Sequence, residues 1–281
     1  MTTSFFKRAL LVLSLTHAGC FAVADLDRFQ FPETPTRNEC DPTTNTDESE
    51  LRDFVFQMRN VPHVGKHSEV RIVSQEGTHP LEAIYVYEGL PARDVVVRMP
   101  GAIRRGPFRV DFWSDVNNDN EAIDMFPADH TWSSTTPGTL SADHLTAGCA
   151  QFDHNATFSP LLDTTQFPIT MHEDLPVRAT NFQGFQSMPV ELRIVIEQGG
   201  ARTVGVYRFQ ELPNENDTLF VLPGIGVDGD EYVVEMYVDT NANMMWDRSS
   251  EPSWVSQRLT FEAGHPIQFE QPDIQAPLSN P

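Results

Sequence analysis

Basic residues are scarce in this sequence. Nineteen Lys and Arg stand against forty Asp and Glu, a formal charge of −21 over 281 residues. Nucleic-acid binding depends on cationic side chains displacing counterions from phosphates, so that partner class is excluded. Attachment to an anionic membrane surface through protein charge is excluded on the same ground. Unbroken helical stretches are also lacking, because twenty-one prolines punctuate the chain and each removes a backbone donor and clashes with the preceding turn. Motifs of catalysis are missing too. There is no Gly-x-Ser-x-Gly elbow, no His-Glu-x-x-His pair and no Gly-rich phosphate loop, and the carboxylates are scattered. A non-enzymatic protein is expected.

Long apolar runs are equally rare. The run Ala9 to Leu15 follows Lys7 and Arg8; it is too short for a spanning helix of ~20 residues and has the layout of a signal peptide. Residues 1–20 are therefore expected to be an export signal. Two cleavage readings stand. Ala18-Gly19-Cys20 resembles the end of a bacterial lipobox, which makes Cys20 the lipidated first residue; Ala22-Val23-Ala24 fits ordinary cleavage after Ala24, which yields a secreted or periplasmic soluble protein. Only three cysteines occur, so Cys40 and Cys149 remain as an even pair, read either as a disulfide in an oxidising compartment or as two free thiols. Residues 21–52, rich in Pro, Thr, Asp and Glu, cannot bury enough apolar surface to order themselves and read as a linker.

What is present is strand. Phe54-Val-Phe-Gln-Met, Glu69-Val-Arg-Ile-Val, Ala83-Ile-Tyr-Val-Tyr, Val95-Val-Val-Arg-Met and Phe108-Arg-Val-Asp-Phe are short, β-branched or aromatic, and separated by Pro and Gly. Phe108, Val110 and Phe112 alternate with Arg109, Asp111 and Trp113, the period of a half-buried strand. The pattern then returns. Glu69-Val-Arg-Ile-Val73 matches Glu191-Leu-Arg-Ile-Val195, Leu90-Pro91 matches Leu212-Pro213, Pro100-Gly101 matches Pro223-Gly224, and Trp132 matches Trp254. An offset of about 122 residues is far longer than a solenoid repeat and implies duplication of a domain. The fold expected is all-β: two tandem β-sandwich domains over 53–163 and 164–271, with a loose tail at 272–281.

Two sets of residues invite a ligand. Asp115, Asn117, Asp119 and Asp124 crowd one loop, and Asp239, Asn241, Asn243 and Asp247 its copy; alternating oxygens in a tight loop suit Ca2+, although such loops also cap their own backbone. The histidines are asymmetric. His63 falls opposite Phe185, His130 opposite Ser253 and His154 near Gln271, so the second copy carries none of them. Imidazoles that a shared core does not need suit a transition metal, copper or zinc, and His63, His130 and His154 with Asp129 form the candidate set. The aromatic pairs Trp132 with Trp254 and Trp113 with Tyr237 read as structural; a stacking platform is the alternative, for which Trp113, on the outward side of its strand, is the better candidate.

Pro62-His63-Val64-Gly65, the run from Phe108 to Asn120, Asp129-His130-Thr131-Trp132 and Phe152 to Phe158 together resemble elements of uncharacterised bacterial exported lipoproteins built from tandem Ig-like or transthyretin-like sandwiches with an Asp/Asn-rich loop. The resemblance covers most of residues 54–160 and, more weakly, 166–270. It implies a β-sandwich fold and export, and no activity. The function expected is a non-catalytic cell-envelope lipoprotein, held to a membrane by its N-terminal lipid alone and meeting a protein or glycan partner. The alternative is an exported copper- or zinc-binding protein.

Overall fold

The computed structural model describes residues 51–74, 81–104, 107–119, 129–133, 140–141, 149–153, 159–160, 172–197, 201–214, 216–271 and 278. Every described residue belongs to the unit Cys40–Pro281. The expected signal peptide, Cys20, the Cys40–Cys149 bond, Asp124, His154 and the boundary near 163 lie outside what is described.

The described residues form strands and no helix. In chain order these are β1 (Arg52–Arg59), β2 (Ser68–Ser74), β3 (Leu81–Tyr87), β4 (Val95–Ile103), β5 (Pro107–Ser114), β6 (His130–Ser133), β7 (Leu140–Ser141), β8 (Cys149–Asp153) and β9 (Ser159–Pro160). They continue as β10 (Glu173–Thr180), β11 (Val190–Ile196), β12 (Arg202–Phe209), β13 (Asp217–Gly226), β14 (Glu231–Val238), β15 (Ser253–Val255), β16 (Leu259–Thr260) and β17 (Ile267–Glu270). The protein is all-β.

One long sheet runs β15-β14-β11-β12-β3-β2-β5-β6-β9, and two three-stranded sheets, β4-β1-β8 and β13-β10-β17, pack against it. In the first, Phe54, Phe56, Val97 and Met99 meet Val70, Ile72, Val110 and Phe112. In the second, Leu175, Val177, Phe220 and Phe269 meet Leu192, Ile194, Val234 and Trp254. Burying each such side chain is worth ~1.5–3 kcal/mol, so these two cores are what hold the layers together.

The halves are not separate beads. β12 pairs with β3 in parallel, Val206 beside Tyr85 and Tyr207 beside Val86. Val206 and Tyr85 belong to the first core, whereas Tyr207 and Val86 belong to the second. Side chains alternate faces along a strand, so the small sheets cover opposite faces of the long one. A two-fold axis lying in the sheet and running along β3 and β12 produces that arrangement. Both strands are apolar on both sides, as central strands buried on two faces must be.

The same details recur on either side of that seam. A bulge interrupts β2–β3 between Ile72 and Val73, and β11–β12 between Ile194 and Val195. Gly101 (φ 62°) donates its amide to Asp53 Oδ1 at 2.8 Å, and Gly224 (φ 70°) donates to Asp174 Oδ1 at 3.1 Å. Left-handed backbone of this kind is nearly free for glycine alone.

The expectation of half-buried strands needs correction at β5. Asp111 and Trp113 point away from the core yet are fully buried, so Trp113 is no exposed stacking platform; its indole instead donates to Asp129 Oδ2 at 3.2 Å.

Candidate functional site

The turn after β1 positions the first site residue. Lys66 N donates to His63 O at 3.1 Å and Gly65 N to Leu90 O at 2.8 Å, with Gly65 at φ 80°. This fixes His63 at the end of the long sheet, next to His130, the first residue of β6. His63 Nε2 and His130 Nδ1 are 2.7 Å apart, and the rings meet edge-on at 87° with centroids 4.5 Å apart. Both rings are half-buried. Trp132, two residues along β6, supports both imidazoles at 5.8 and 5.3 Å and stacks on Phe112 of the core at 5.2 Å. One imidazole donates and the other accepts in such a contact, so the acceptor nitrogen is unprotonated.

The second half has the same turn without imidazole. Met188 N donates to Phe185 O at 3.1 Å, and Phe185 packs on Trp254 at 5.2 Å. Trp132 pairs with Phe112 and Trp254 with Met236, which places Pro252 rather than Ser253 opposite His130. A polar pair thus stands where the other half has an apolar contact.

The remaining residues of the candidate metal set are arranged differently. The Asp129 carboxylate is buried and accepts from Trp113 Nε1 and, at 2.9 Å, from Val116 N, so it braces the entrance of the acidic loop. Burial pushes its carboxyl up, and the charge of Asp115 adds to this against the hydrogen bonds from Val116 and Trp113. Asp115, Asp119 and Asp129 each bring an oxygen within 4.8 Å of the others. Asp115 Oδ1 accepts from Asn118 N at 2.5 Å, and Asn117 Nδ2 donates to Asp119 Oδ2 at 2.6 Å. Lys66 Nζ reaches the same loop, donating to Val116 O and Asn118 Oδ1.

In the second loop the oxygens turn inward. Asp239 accepts from Asn243 N at 3.0 Å and Met244 N at 2.8 Å and pairs with Arg208. Asn241 and Asn243 accept from the amides of Asn243 and Met245, and Asp247 from Ser249. This is a self-capped turn whose leading carboxylate already faces a guanidinium. Asp239, Asn241, Asn243 and Asp247, the candidate calcium residues of this loop, all accept backbone amides.

Sequence reasoning missed a charged network on the face of each half that its small sheet leaves uncovered. In the first, Arg71 Nε donates to buried Glu69 at 2.8 Å; His67 lies 3.4 Å from Glu69 and 3.7 Å from Glu88, and Tyr207 donates to Glu88. In the second, Glu191 accepts from Arg193 at 2.8 Å, Arg208 at 3.1 Å and Tyr85 at 3.0 Å. Glu69 and Glu191 keep carboxyl pKa values below the usual range. Burial opposes this; Arg71 and then His67 outweigh it at Glu69, and Arg193 and Arg208 with the Tyr85 hydrogen bond at Glu191. The signal was the repeated Glu-x-Arg, which puts opposite charges on one face of a strand at i and i+2.

No protein-family model matches the sequence, and no curated protein does. Among solved structures the chain is similar to the fimbrial anchor protein Mfa2 from Porphyromonas gingivalis, with 9% identity, 66% of this chain and 77% of that one covered, and a TM-score of 0.25. It is also similar to the tip fimbrial protein Mfa3 from Porphyromonas gingivalis with C-terminal truncation, with 9% identity, 76% and 84% covered, and a TM-score of 0.25.

Proposed function

We propose that the chain is a non-catalytic module of the cell envelope, anchored by lipid on Cys20, in which two halves descended from one duplicated domain form a stiff binding or structural unit. The observation that supports this most is the sharing of β3 and β12 between two cores. A body built that way cannot bend at its middle without breaking main-chain pairing, as suits a part that carries load or presents an end. The ends of the long sheet then meet a protein or glycan partner. The duplicated units span about 53–163 and 164–271, judged by the repeat offset. Protease treatment of intact cells, followed by intact-mass measurement of the mature chain, tests the reading. Accessibility with a lipid-bearing Cys20 is expected; an unprocessed N-terminus in a protease-protected cytoplasmic fraction overturns it.

A second reading is favoured by the His63–His130 contact, namely an exported copper- or zinc-binding protein. Bonds of ~2.0–2.1 Å to both nitrogens need them about 3 Å apart, a small opening from 2.7 Å. Titration calorimetry with Zn2+ and Cu2+ on the wild type and on His130→Ala tests it, and equal heats from both proteins sink it.

A further inference from the structure

At the end of the sheet where β3 and β12 begin, a cavity of about 190 Å³ lies between the two halves. Aliphatic side chains of β3, β11, β12 and β13 form its walls, and Glu82, Arg104, His172, Arg202, Asp230 and Tyr232 supply the polar lining. The lining is unusual for so acidic a chain, because two guanidinium groups lean on one carboxylate. Arg202 Nη1 donates to Glu82 Oε2 at 2.9 Å and to Glu82 O at 3.1 Å, while Arg104 Nε stands 3.9 Å from the same Oε2. Asp230 is exposed at the rim, and the Tyr232 hydroxyl is engaged by Ile225 O and Val227 N.

Arg202 is itself only 9% exposed, and its Nε is buried with no hydrogen-bond partner among the described residues. A buried donor left unpaired is costly, and native structures seldom keep one without a use. Burial first, then the nearby charge of Arg104, pull the Arg202 pKa down against Glu82.

We propose that this cavity binds a small organic carboxylate with a short aliphatic part. Its carboxylate sits against the guanidinium groups of Arg202 and Arg104, and its carbon chain lies on the aliphatic wall. The volume is below that of sites for drug-sized ligands, ~300–1,000 Å³, and suits an acid of a few carbons. This site shares no residue with the histidine pair, and it requires neither export nor a lipid on Cys20, so its test is separate from that of the envelope reading.

The probe is butyrate, with butyramide as its neutral isostere and inorganic phosphate as an anion without a carbon chain, all at constant ionic strength. Melting temperature of the full chain is followed against ligand concentration. A saturable rise with butyrate, none with butyramide and little with phosphate is expected. Arg104→Ala, at a half-exposed position that leaves the core intact, weakens butyrate at least several-fold, and Arg202→Gln abolishes the rise. No response to butyrate, equal responses to butyrate and phosphate, or an undiminished response in Arg104→Ala overturns the proposal.

Discussion

Tyr85, a residue of the first half, donates its hydroxyl proton to Glu191 of the second at 3.0 Å, across the intervening strand β12. The acceptor is buried and already holds Arg193 and Arg208. Hydrogen bonds to charged groups contribute ~1.5–3 kcal/mol, so Tyr85→Phe is expected to lower unfolding stability by about 2 kcal/mol in urea titration. Glu191→Ala leaves two guanidiniums without their shared carboxylate and costs more, about 3–5 kcal/mol. If the seam is a true structural element, both halves unfold in one transition in each variant. Two separated transitions in the wild type contradict the shared sheet.

His67 provides a pH test of the opposite network. Burial alone lowers its pKa, but Glu69 and Glu88 outweigh burial and raise it from 6.5 to about 9. A group whose folded pKa is raised stabilises fully below the unfolded value and loses that contribution as pH climbs through the folded one. Stability is therefore expected to fall between pH 6.5 and about 9, by up to about 3 kcal/mol. His67→Gln removes that alkaline slope while leaving the Arg71–Glu69 pair in place. Melting curves from pH 6 to 10 decide it; parallel slopes in both proteins refute the assignment.

Much of the fold was legible because strands announce themselves. Alternation in β5, Pro and Gly between runs, and the recurring Glu-x-Arg and Trp positions all carry local physics. The shared sheet was not read, although its mark was present in Ala83–Tyr87 and Val204–Tyr207, runs apolar on both faces. Which neighbour lies on each face is a long-range property that one strand does not encode. The His63–His130 contact could be approached only through the asymmetry between the halves, since the two residues are distant in sequence and adjacent only after folding. The His67 network was overlooked because a charge beside an apolar strand reads as solvent-facing until both faces are known to be covered.

Two glycines near the seam separate backbone strain from side-chain crowding. A Cβ at Gly101 would lie 2.8 Å from Ala201 O, and φ is +62°. Left-handed backbone costs a non-glycine residue ~1–2 kcal/mol, and a carbonyl cannot swing aside as a side chain can. At Gly205 the Cβ would meet Leu222 Cδ2 at 2.5 Å and Ile225 Cδ1 at 2.7 Å, both ends of rotatable side chains. Gly101→Ala is expected to cost about 2 kcal/mol or more and Gly205→Ala about 1–3 kcal/mol, the range for core overpacking. Restoring stability with Leu222→Val should work for Gly205→Ala only. Rescue of both variants, measured by chemical denaturation, contradicts the distinction.

The acidic loop of the first half is predicted to respond to calcium, and the corresponding loop of the second half is not. Asp115, Asp119 and Asp129 gather three oxygens, whereas Asp239 is matched with Arg208. Burial raises the Asp129 carboxyl, so at neutral pH its ionised form is held at a cost that a bound cation would relieve. A ligand binding only the folded state at a hundred times its Kd adds ~2.7 kcal/mol. Millimolar Ca2+ should raise the melting temperature, and Asp119→Ala, at an exposed position, should erase that rise without unfolding the chain. Indifference of the wild type to both calcium and chelator means that the triad only caps its turn.

The imidazole pair can be tested by giving the first half the character of the second. Phe185 packs on Trp254 where His63 packs on Trp132, so His63→Phe combined with His130→Ala exchanges a polar contact for an apolar one on the same backbone. If the pair were there for stability, its removal would cost about 1 kcal/mol, the usual net worth of one hydrogen bond. Burying a phenyl ring against Trp132 works the other way, by ~0.5–1.5 kcal/mol beyond area for an aromatic pair. The double variant is expected to be as stable as the wild type or more so in urea titration. It should also lose any response to Zn2+ or Cu2+ that the wild type shows. A clear loss of stability instead makes the two histidines ordinary structural residues, and the asymmetry between the halves no longer points to a ligand.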